Sequence, residues 1–162
     1  MKIILAYTVL LIIYTSCDNI KKSDMSGVSK MEFEKLLQKV AFGWNNGDAK
    51  SAADCFTENA VYIEPPNEQL YIGREELFEF FGGKEGRAEP MSMTWHHLIF
   101  DELKQMGVGE YTFKYKGRIT HGLVIIQIHK GKISRWREYQ YRTNMEWKEF
   151  IGESSFIKIK IE

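Results

Sequence analysis

The 162-residue sequence has no excess of charge of either sign, because 22 Lys and Arg residues balance 22 Asp and Glu residues. The basic residues are scattered among the acidic ones, so no basic patch of the kind that binds nucleic acid is visible. Internal repeats and low-complexity segments are also lacking. These absences argue against nucleic acid as a partner and favour a single domain with one core.

Motifs of cofactor and metal chemistry are missing as well. The glycine-rich segment 82–86 follows a predicted helix, whereas a phosphate-binding loop opens one, and no nucleophile elbow is present. Adjacent residues on a strand point to opposite faces, so His96 and His97 are not expected to chelate one metal together. His121 and His129 are too far apart to do so. We therefore expect no metal and no cofactor.

Long hydrophobic runs are limited to the start of the chain. Lys2 precedes an uncharged apolar run over residues 3–14, and small residues then precede Cys17. A run this short lies below the ~20 residues that a membrane-spanning helix needs. The pattern predicts an export signal over residues 1–16.

Small residues before Cys17 and a polar stretch behind it resemble a bacterial lipoprotein signal. The resemblance implies that Cys17 is acylated, that residues 17–30 form a polar tether, and that the exported protein meets the membrane at the cell envelope only through this lipid. An ordinary cleaved signal and an uncleaved anchor stay open as alternatives. After processing, Cys55 is the only side-chain thiol, which excludes an internal disulfide, and we expect it to be buried in packing.

The chain behind the tether begins with helices. Ser29 and Glu32 form a capping box, and the apolar residues that follow recur at helical spacing on one face: Phe33, Leu36, Leu37, Val40, Ala41 and Trp44. Asp48 can cap a second, shorter helix. A third helix follows Gly73 and ends at the glycines of 82–83.

Strands are predicted elsewhere, with a short one over residues 60–64. From residue 91 the apolar pattern changes to period two and predicts four more strands, over residues 91–102, 108–116, 118–129 and 132–142. Short turns between these four indicate an antiparallel meander. The fold class is therefore α+β, with a curved antiparallel sheet wrapped on three N-terminal helices and a cavity at its open end.

Three motifs carry a family resemblance. Tyr62-x-Glu64-Pro on a strand, Tyr71-Ile-Gly-Arg before a helix, and Trp136-Arg-Glu-Tyr139 on the last strand resemble the SnoaL-like branch of the nuclear transport factor 2-like superfamily. The resemblance covers residues 31–152. It implies a cone-shaped α+β barrel with a pocket for a small apolar or amphipathic molecule, and a homodimer formed through the sheet.

The site residues follow from a second resemblance, to the limonene epoxide hydrolase family, in the strand around Tyr62 and the strand around Glu138. It implies that Glu138 is a general base and that Tyr62 and Glu64 hold a water molecule. Tyr111 and Phe113 stand where that family has a charged Arg and Asp pair. The wider expected pocket lining comprises Trp44, Trp95, His97, Tyr111, Phe113, His121 and Trp136.

Plainer interpretations stay open beside these. Glu138 could form a structural ion pair with Arg137 or Arg118, and Tyr62 could be a core aromatic residue. Three functions are therefore considered: an envelope-anchored binding domain of unassigned activity, a cofactor-independent hydrolase or isomerase, and an interaction scaffold whose outer sheet face carries Tyr139 and Tyr141. The segment 153–162 alternates like a strand and is expected to add an edge strand or a dimer contact.

Overall fold

The computed structural model describes residues 27–89 and 91–152. The predicted export signal, Cys17, most of the tether and the segment 153–162 lie outside the described residues. Within those that are described, no helix combines the length and the apolar character needed to cross a membrane.

Among the described residues, four α-helices accompany the sheet: α1 (Lys30–Asn45), α2 (Ala49–Ala53), α3 (Arg74–Phe80) and α4 (Trp147–Phe150). The predicted capping box is present at α1, where the Ser29 side chain accepts from the Glu32 backbone N–H and the Glu32 carboxylate accepts from the Ser29 backbone N–H. Asp48 caps α2 by accepting from Ser51 N over 2.9 Å. The first three helices confirm the prediction, and α4 was not predicted.

In the part of the chain that the structure describes, the sheet has six strands: β1 (Phe56–Glu64), β2 (Gln69–Ile72), β3 (Met91–Asp101), β4 (Met106–Tyr115), β5 (Arg118–His129) and β6 (Lys132–Thr143). Their order across the sheet is β2-β1-β6-β5-β4-β3. The meander of β3 to β6 is antiparallel as predicted, but β1 runs parallel to β6. The α+β fold is confirmed, with a curved, unclosed sheet that is mixed because β1 and β6 run parallel.

The core lies between α1 and the concave face of the sheet. Phe33 is fully buried, and its ring stacks on Phe100 with centroids 4.3 Å apart. Gly107 makes this approach feasible, since a Cβ there would lie 2.3 Å from the Phe33 ring. Burial of a side chain such as Phe33 contributes roughly 2 kcal/mol of folding free energy. The helix and the strands are thus fixed at a short separation.

A β-bulge in β3 changes which side chains face the core. Trp95 pairs with Tyr111 and His97 pairs with Glu110, which leaves His96 as the extra residue. His96 Nε2 lies 2.7 Å from Thr112 Oγ1, on the convex face of the sheet. His97 Nδ1 lies 2.7 Å from Glu110 Oε2 on that same face. The expectation that one of these two histidines faces the interior is therefore wrong, because alternation of the side chains stops at a bulge.

Candidate functional site

A cavity of about 240 Å³ opens at the end of the sheet, between the concave face and the helices. Aromatic side chains form part of its wall, among them Trp44, Phe80, Phe81 and Phe113. Polar and charged side chains form the rest, foremost the carboxylate of Glu138. A concave cavity in which polar groups converge beside aromatic walls is typical of a small-molecule site.

Glu138 is the central polar residue of this cavity, and its side chain is only 4% exposed. Its Oε1 accepts a hydrogen bond from Tyr62 Oη over 2.6 Å. Its Oε2 accepts from Trp136 Nε1 over 2.8 Å and from Tyr111 Oη over 3.0 Å. Burial raises the pKa of the Glu138 carboxyl, and the three donors offset part of that rise.

The strand pattern explains how these donors reach one carboxylate. Trp136 and Glu138 are two residues apart on β6 and therefore share the concave face. Tyr62 on β1 pairs directly with Trp136, and the two rings stack with centroids 5.6 Å apart. A parallel pairing of β1 with β6 thus places the Tyr62 hydroxyl beside the carboxylate.

Tyr111 reaches Glu138 from two strands away, because Gly122 leaves a gap in the intervening strand. Tyr111 on β4 pairs with Gly122 on β5. A Cβ at Gly122 would lie 2.3 Å from Tyr111 Cζ and 2.4 Å from its hydroxyl oxygen. Only a residue without a side chain allows the Tyr111 ring to lean across β5 towards Glu138.

Glu64 is the second carboxylate in the cavity and is 2% exposed. Asn67, in the one-turn helix after β1, donates a side-chain hydrogen bond to Glu64 Oε1. Burial, and then the nearby charge of Glu138, raise the pKa of Glu64 to about 7. Two carboxyl groups with raised pKa values in one cavity form a coupled pair.

No cation neutralises this pair within the described part of the chain. The ion pairs found there do not include Glu64 or Glu138. Arg137 is one residue before Glu138 and therefore lies on the convex face, while Arg118 lines the cavity without reaching ion-pair distance. The structural ion pair considered for Glu138 is thus not what the structure contains.

Three predicted lining residues, Trp44, Tyr111 and Phe113, do line the cavity beside Tyr62, Glu64 and Glu138. Trp95 and Trp136 do not: they lie in the packed layer behind it, with their rings 5.9 Å apart. Trp95 Nε1 donates to the Leu37 carbonyl over 3.0 Å, which fixes its ring against α1.

Two further predictions of pocket lining, His97 and His121, are wrong. Both lie on the convex face, where His121 Nδ1 is 2.9 Å from Thr112 Oγ1 and His121 Nε2 is 3.0 Å from the Met145 carbonyl. For His97 the cause is the bulge in β3, and for His121 it is parity, since Thr120 and Gly122 take the concave positions of β5.

Sequence reasoning missed several residues at the entrance of the cavity, namely Asn67, Gln69, Arg87, Thr120, Gln140 and Arg142. Period two along β6, continued beyond Glu138, would have identified Gln140 and Arg142. Residues of the loops and of β2 carry no comparable signal, because their place depends on contacts that are remote in sequence.

Metal ligation and thiol chemistry have no evident place in this region. Among residues 27–89 and 91–152, no three His, Cys, Asp or Glu side chains converge in a metal-binding group. Cys55 is 1% exposed, and burial raises the pKa of its thiol to about 11. A thiol with such a pKa is protonated at neutral pH and is a poor nucleophile.

A curved mixed sheet that closes a carboxylate-bearing cavity against N-terminal helices defines an α+β pocket protein of the nuclear transport factor 2-like fold. Within that class the chain belongs to the SnoaL-like domain family, whose model matches residues 37–136. None of the curated proteins has a matching sequence.

Solved structures share the fold at low sequence identity. A nuclear transport factor 2-like protein of unknown function from Burkholderia xenovorans is 17% identical, with a TM-score of 0.60, over 74% of this chain and 92% of that one. A proposed ketosteroid isomerase from Kribbella flavida is 15% identical, with a TM-score of 0.61, over 79% and 93%. An epoxide hydrolase of Mycobacterium tuberculosis that resembles limonene epoxide hydrolase is 14% identical, with a TM-score of 0.56, over 68% and 84%. Likeness at this level shows the fold alone.

Proposed function

We propose that this protein is a cofactor-independent acid–base catalyst, a hydrolase or an isomerase, that acts on a small amphipathic molecule with Glu138 as its general base. One observation carries the proposal: Glu138 is a buried carboxylate in an aromatic cavity, held by three neutral donors and coupled to a second carboxylate, Glu64. Titratable pairs whose pKa values are raised by such surroundings are typical of acid–base catalysis near neutral pH.

The two carboxyl groups differ in the protonation state that their partners favour. Glu138 accepts three hydrogen bonds, which stabilise its charged form, whereas Glu64 accepts one from Asn67. When the pair holds a single proton, this difference favours the proton on Glu64 and the charge on Glu138. Glu64 then serves as the acid and Glu138 as the base.

Addition of water to an epoxide uses both roles. Glu138 takes a proton from water while the water oxygen forms a bond to an epoxide carbon. The bond from that carbon to the epoxide oxygen breaks, its electron pair stays on the oxygen, and the oxygen takes the proton of Glu64. Transfer of a proton from Glu138 back to Glu64 restores the starting state. An isomerase would use the same base to move one proton between two carbons of an enolisable ketone.

A second candidate is a binding domain without catalysis, and one observation favours it. Both oxygens of Glu138 already accept hydrogen bonds, and the neutral Tyr111 and Phe113 stand where the resembling hydrolase family has charged residues. In this case the tyrosines serve to keep the buried carboxylate satisfied.

Turnover by matched variants separates the two candidates. Lipophilic epoxides and enolisable ketones are offered to the protein, to Glu138→Gln and to Glu110→Gln, which makes the same change on the convex face of β4. Loss of the base should lower turnover about 100-fold or more, while Glu110→Gln should match the unaltered protein. Equal turnover in Glu138→Gln contradicts the proposed base, and absence of turnover in every variant favours the binding domain.

The cell-envelope location is a separate proposal that rests on the lipoprotein-like sequence around Cys17. Acylation at that cysteine would hold the pocket domain close to the membrane surface, where amphipathic molecules concentrate. Mass spectrometry of the protein from its native membrane fraction tests this proposal, with Cys17→Ser as the control that should lose the lipid mass.

Self-association through the convex face of the sheet is also proposed. Exposed apolar side chains support it: Leu123 is 39%, Tyr139 is 44% and Tyr141 is 64% exposed. Such residues gathered on one face are typical of an interaction surface. Sedimentation analysis should show a dimer that Tyr139→Ser weakens, and a monomer at all concentrations would contradict this scaffold.

A further inference from the structure

Three arginines line the entrance of the cavity: Arg87, Arg118 and Arg142. Arg142 stands on the concave face of β6, four residues beyond Glu138, and is exposed. Arg118 begins β5, and Thr120, two residues further on, pairs with Arg142. The two guanidinium groups therefore come from neighbouring strands at the same rim, above the buried carboxylates.

Acidic residues of the described chain form no ion pair with this positive rim. None of the three arginines forms an ion pair among residues 27–89 and 91–152. Arg87 donates instead to the Phe80 carbonyl and lies over the rings of Phe80 and Tyr115, 5.5 and 5.7 Å from their centroids. Its Nε is buried without a hydrogen-bond partner within those same residues. The guanidinium groups of these arginines therefore have hydrogen-bond donors and positive charge available to a molecule that enters the cavity.

The spacing along β6 limits the size of such a molecule. Side chains four residues apart on a strand are separated by about 13 Å, at ~3.3 Å per residue. Aromatic side chains line the space between the carboxylates and the rim, among them Phe81, Phe113 and Tyr115. The cavity therefore has carboxylates at its inner end, arginines at its entrance, and aromatic side chains between them beside polar ones such as Gln140.

We propose that the cavity selects anionic amphipathic molecules, whose carboxylate or phosphate group binds Arg118 and Arg142 while the apolar body extends towards Glu138. The planar fork of arginine donors matches both oxyanions in a bidentate manner. This inference deepens the proposed function, since it names the substrate class of the same cavity, but binding itself requires no catalysis.

Equilibrium binding of matched probes tests the proposal. Octanoate, octyl phosphate and octanol share one alkyl chain and differ in charge, and their affinities are measured by titration calorimetry. The double variant Arg118→Gln/Arg142→Gln removes the charge of the rim. Arg135→Gln/Arg137→Gln makes the same change in net charge on the opposite face of β6 and is the matched control.

At least one anion should bind about tenfold more tightly than octanol, as expected for two partly exposed ion pairs. The rim variant should lose this preference, the control should keep it, and the affinity for octanol should be the same in all three proteins. Preference for octanoate or for octyl phosphate then identifies the head group. Equal affinity for anions and octanol, or an equal loss in the control variant, overturns the proposal.

Turnover separates failure of this inference from failure of the proposed function. An eight-carbon epoxy acid and its primary amide are compared with the protein and with Glu138→Gln. Turnover that depends on Glu138 but is equal for the acid and the amide contradicts the selection of anions, while the proposed catalytic function stands. Arginine-dependent binding of the anions without turnover supports the selection and contradicts the catalyst.

Discussion

Tyr62 donates its hydroxyl hydrogen to Glu138 Oε1 over 2.6 Å, across the parallel pair of strands β1 and β6. Both side chains are buried, and this contact joins residues 76 positions apart in the chain. A hydrogen bond to a carboxylate in such surroundings is stronger than one between neutral groups. The charge state of Glu138 on β6 therefore depends on the position of β1, which carries Tyr62.

Tyr62→Phe should raise the pKa of Glu138, because the donor that it removes favours the charged carboxylate. If Glu138 is the base, the pH at which turnover rises should move to a higher value. At pH values where Glu138 is charged, the unfolding free energy should fall by about 1–3 kcal/mol, since the buried charge loses a hydrogen-bond partner.

Measurement of turnover and of urea unfolding over a range of pH checks both effects of Tyr62→Phe. Tyr111→Phe is the comparison, because its hydrogen bond is longer, at 3.0 Å, and its effect should be smaller. Unchanged pH dependence in both variants would mean that these hydroxyls do not set the charge of Glu138.

Glu64→Gln should make the protein less sensitive to alkaline pH. The pKa of Glu64 is about 7 in the folded protein, against 4.5 as its ordinary value. Between these two pH values the folded state binds more protons than the unfolded state, so the stability of the unaltered protein falls as pH rises through this interval. A shift of this size corresponds to a loss of about 3 kcal/mol at pH 8 relative to pH 4.

Chemical unfolding of Glu64→Gln at pH 4, 6 and 8 measures this difference. The variant should lose less stability than the unaltered protein between pH 4 and 8. Glu68→Gln, an exposed carboxylate four residues further on, should behave like the unaltered protein. If the unfolding free energy changes with pH in the same way in all three proteins, the pKa of Glu64 is not raised by folding.

Gly122→Ala should displace Tyr111 from Glu138, because the added Cβ would meet the Tyr111 ring at 2.3 Å. Overpacking of this kind costs about 1–3 kcal/mol of unfolding free energy. The cause is tested by a double-mutant cycle, in which Gly122→Ala is also made in Tyr111→Ala. In Tyr111→Ala, the loss of unfolding free energy caused by Gly122→Ala should be much smaller. If the loss persists, its cause lies in the β5 backbone and not in the Tyr111 ring.

Local patterns predicted most of the fold. Ser29 and Asp48 identify helix starts by their own chemistry, and period two gave β5 over 118–129 as the structure has it. The short strand β2 was missed, since four residues carry little periodic signal and its pairing with β1 is a tertiary contact. Helix α4 was missed because one turn has no amphipathic repeat.

The site was predictable only in part, because alternation gives the face of a residue and not its neighbours. Tyr62, Glu64 and Glu138 share the cavity as the resemblance implied, while their roles stay proposals. The bulge at His96 depends on the partner strand, so it reversed the placement of His97. That Gly122 opens a path for Tyr111 also required the register of β4 against β5.

Helix α4 offers a test of whether the convex face is independent of the cavity. Its Trp147 ring stacks on His96 with centroids 3.8 Å apart and planes at 5°, and it meets the edge of His121 at 5.5 Å. Removal of this ring in Trp147→Ala should lower the unfolding free energy by about 1–3 kcal/mol. Burial is the main cause of the lowered pKa of His96, so exposure should raise it.

Ligand affinity and turnover of Trp147→Ala should stay close to those of the unaltered protein, because the sheet separates this ring from Glu138. Thermal unfolding, NMR titration of His96 and the octanoate assay measure the three effects. Leu103→Ala, at a side chain that is 88% exposed, is the control that should change none of them. Weakened octanoate binding in Trp147→Ala would instead mean that the convex face and the cavity are coupled through the strands. Association at the proposed dimer surface would then change the ligand affinity of the cavity.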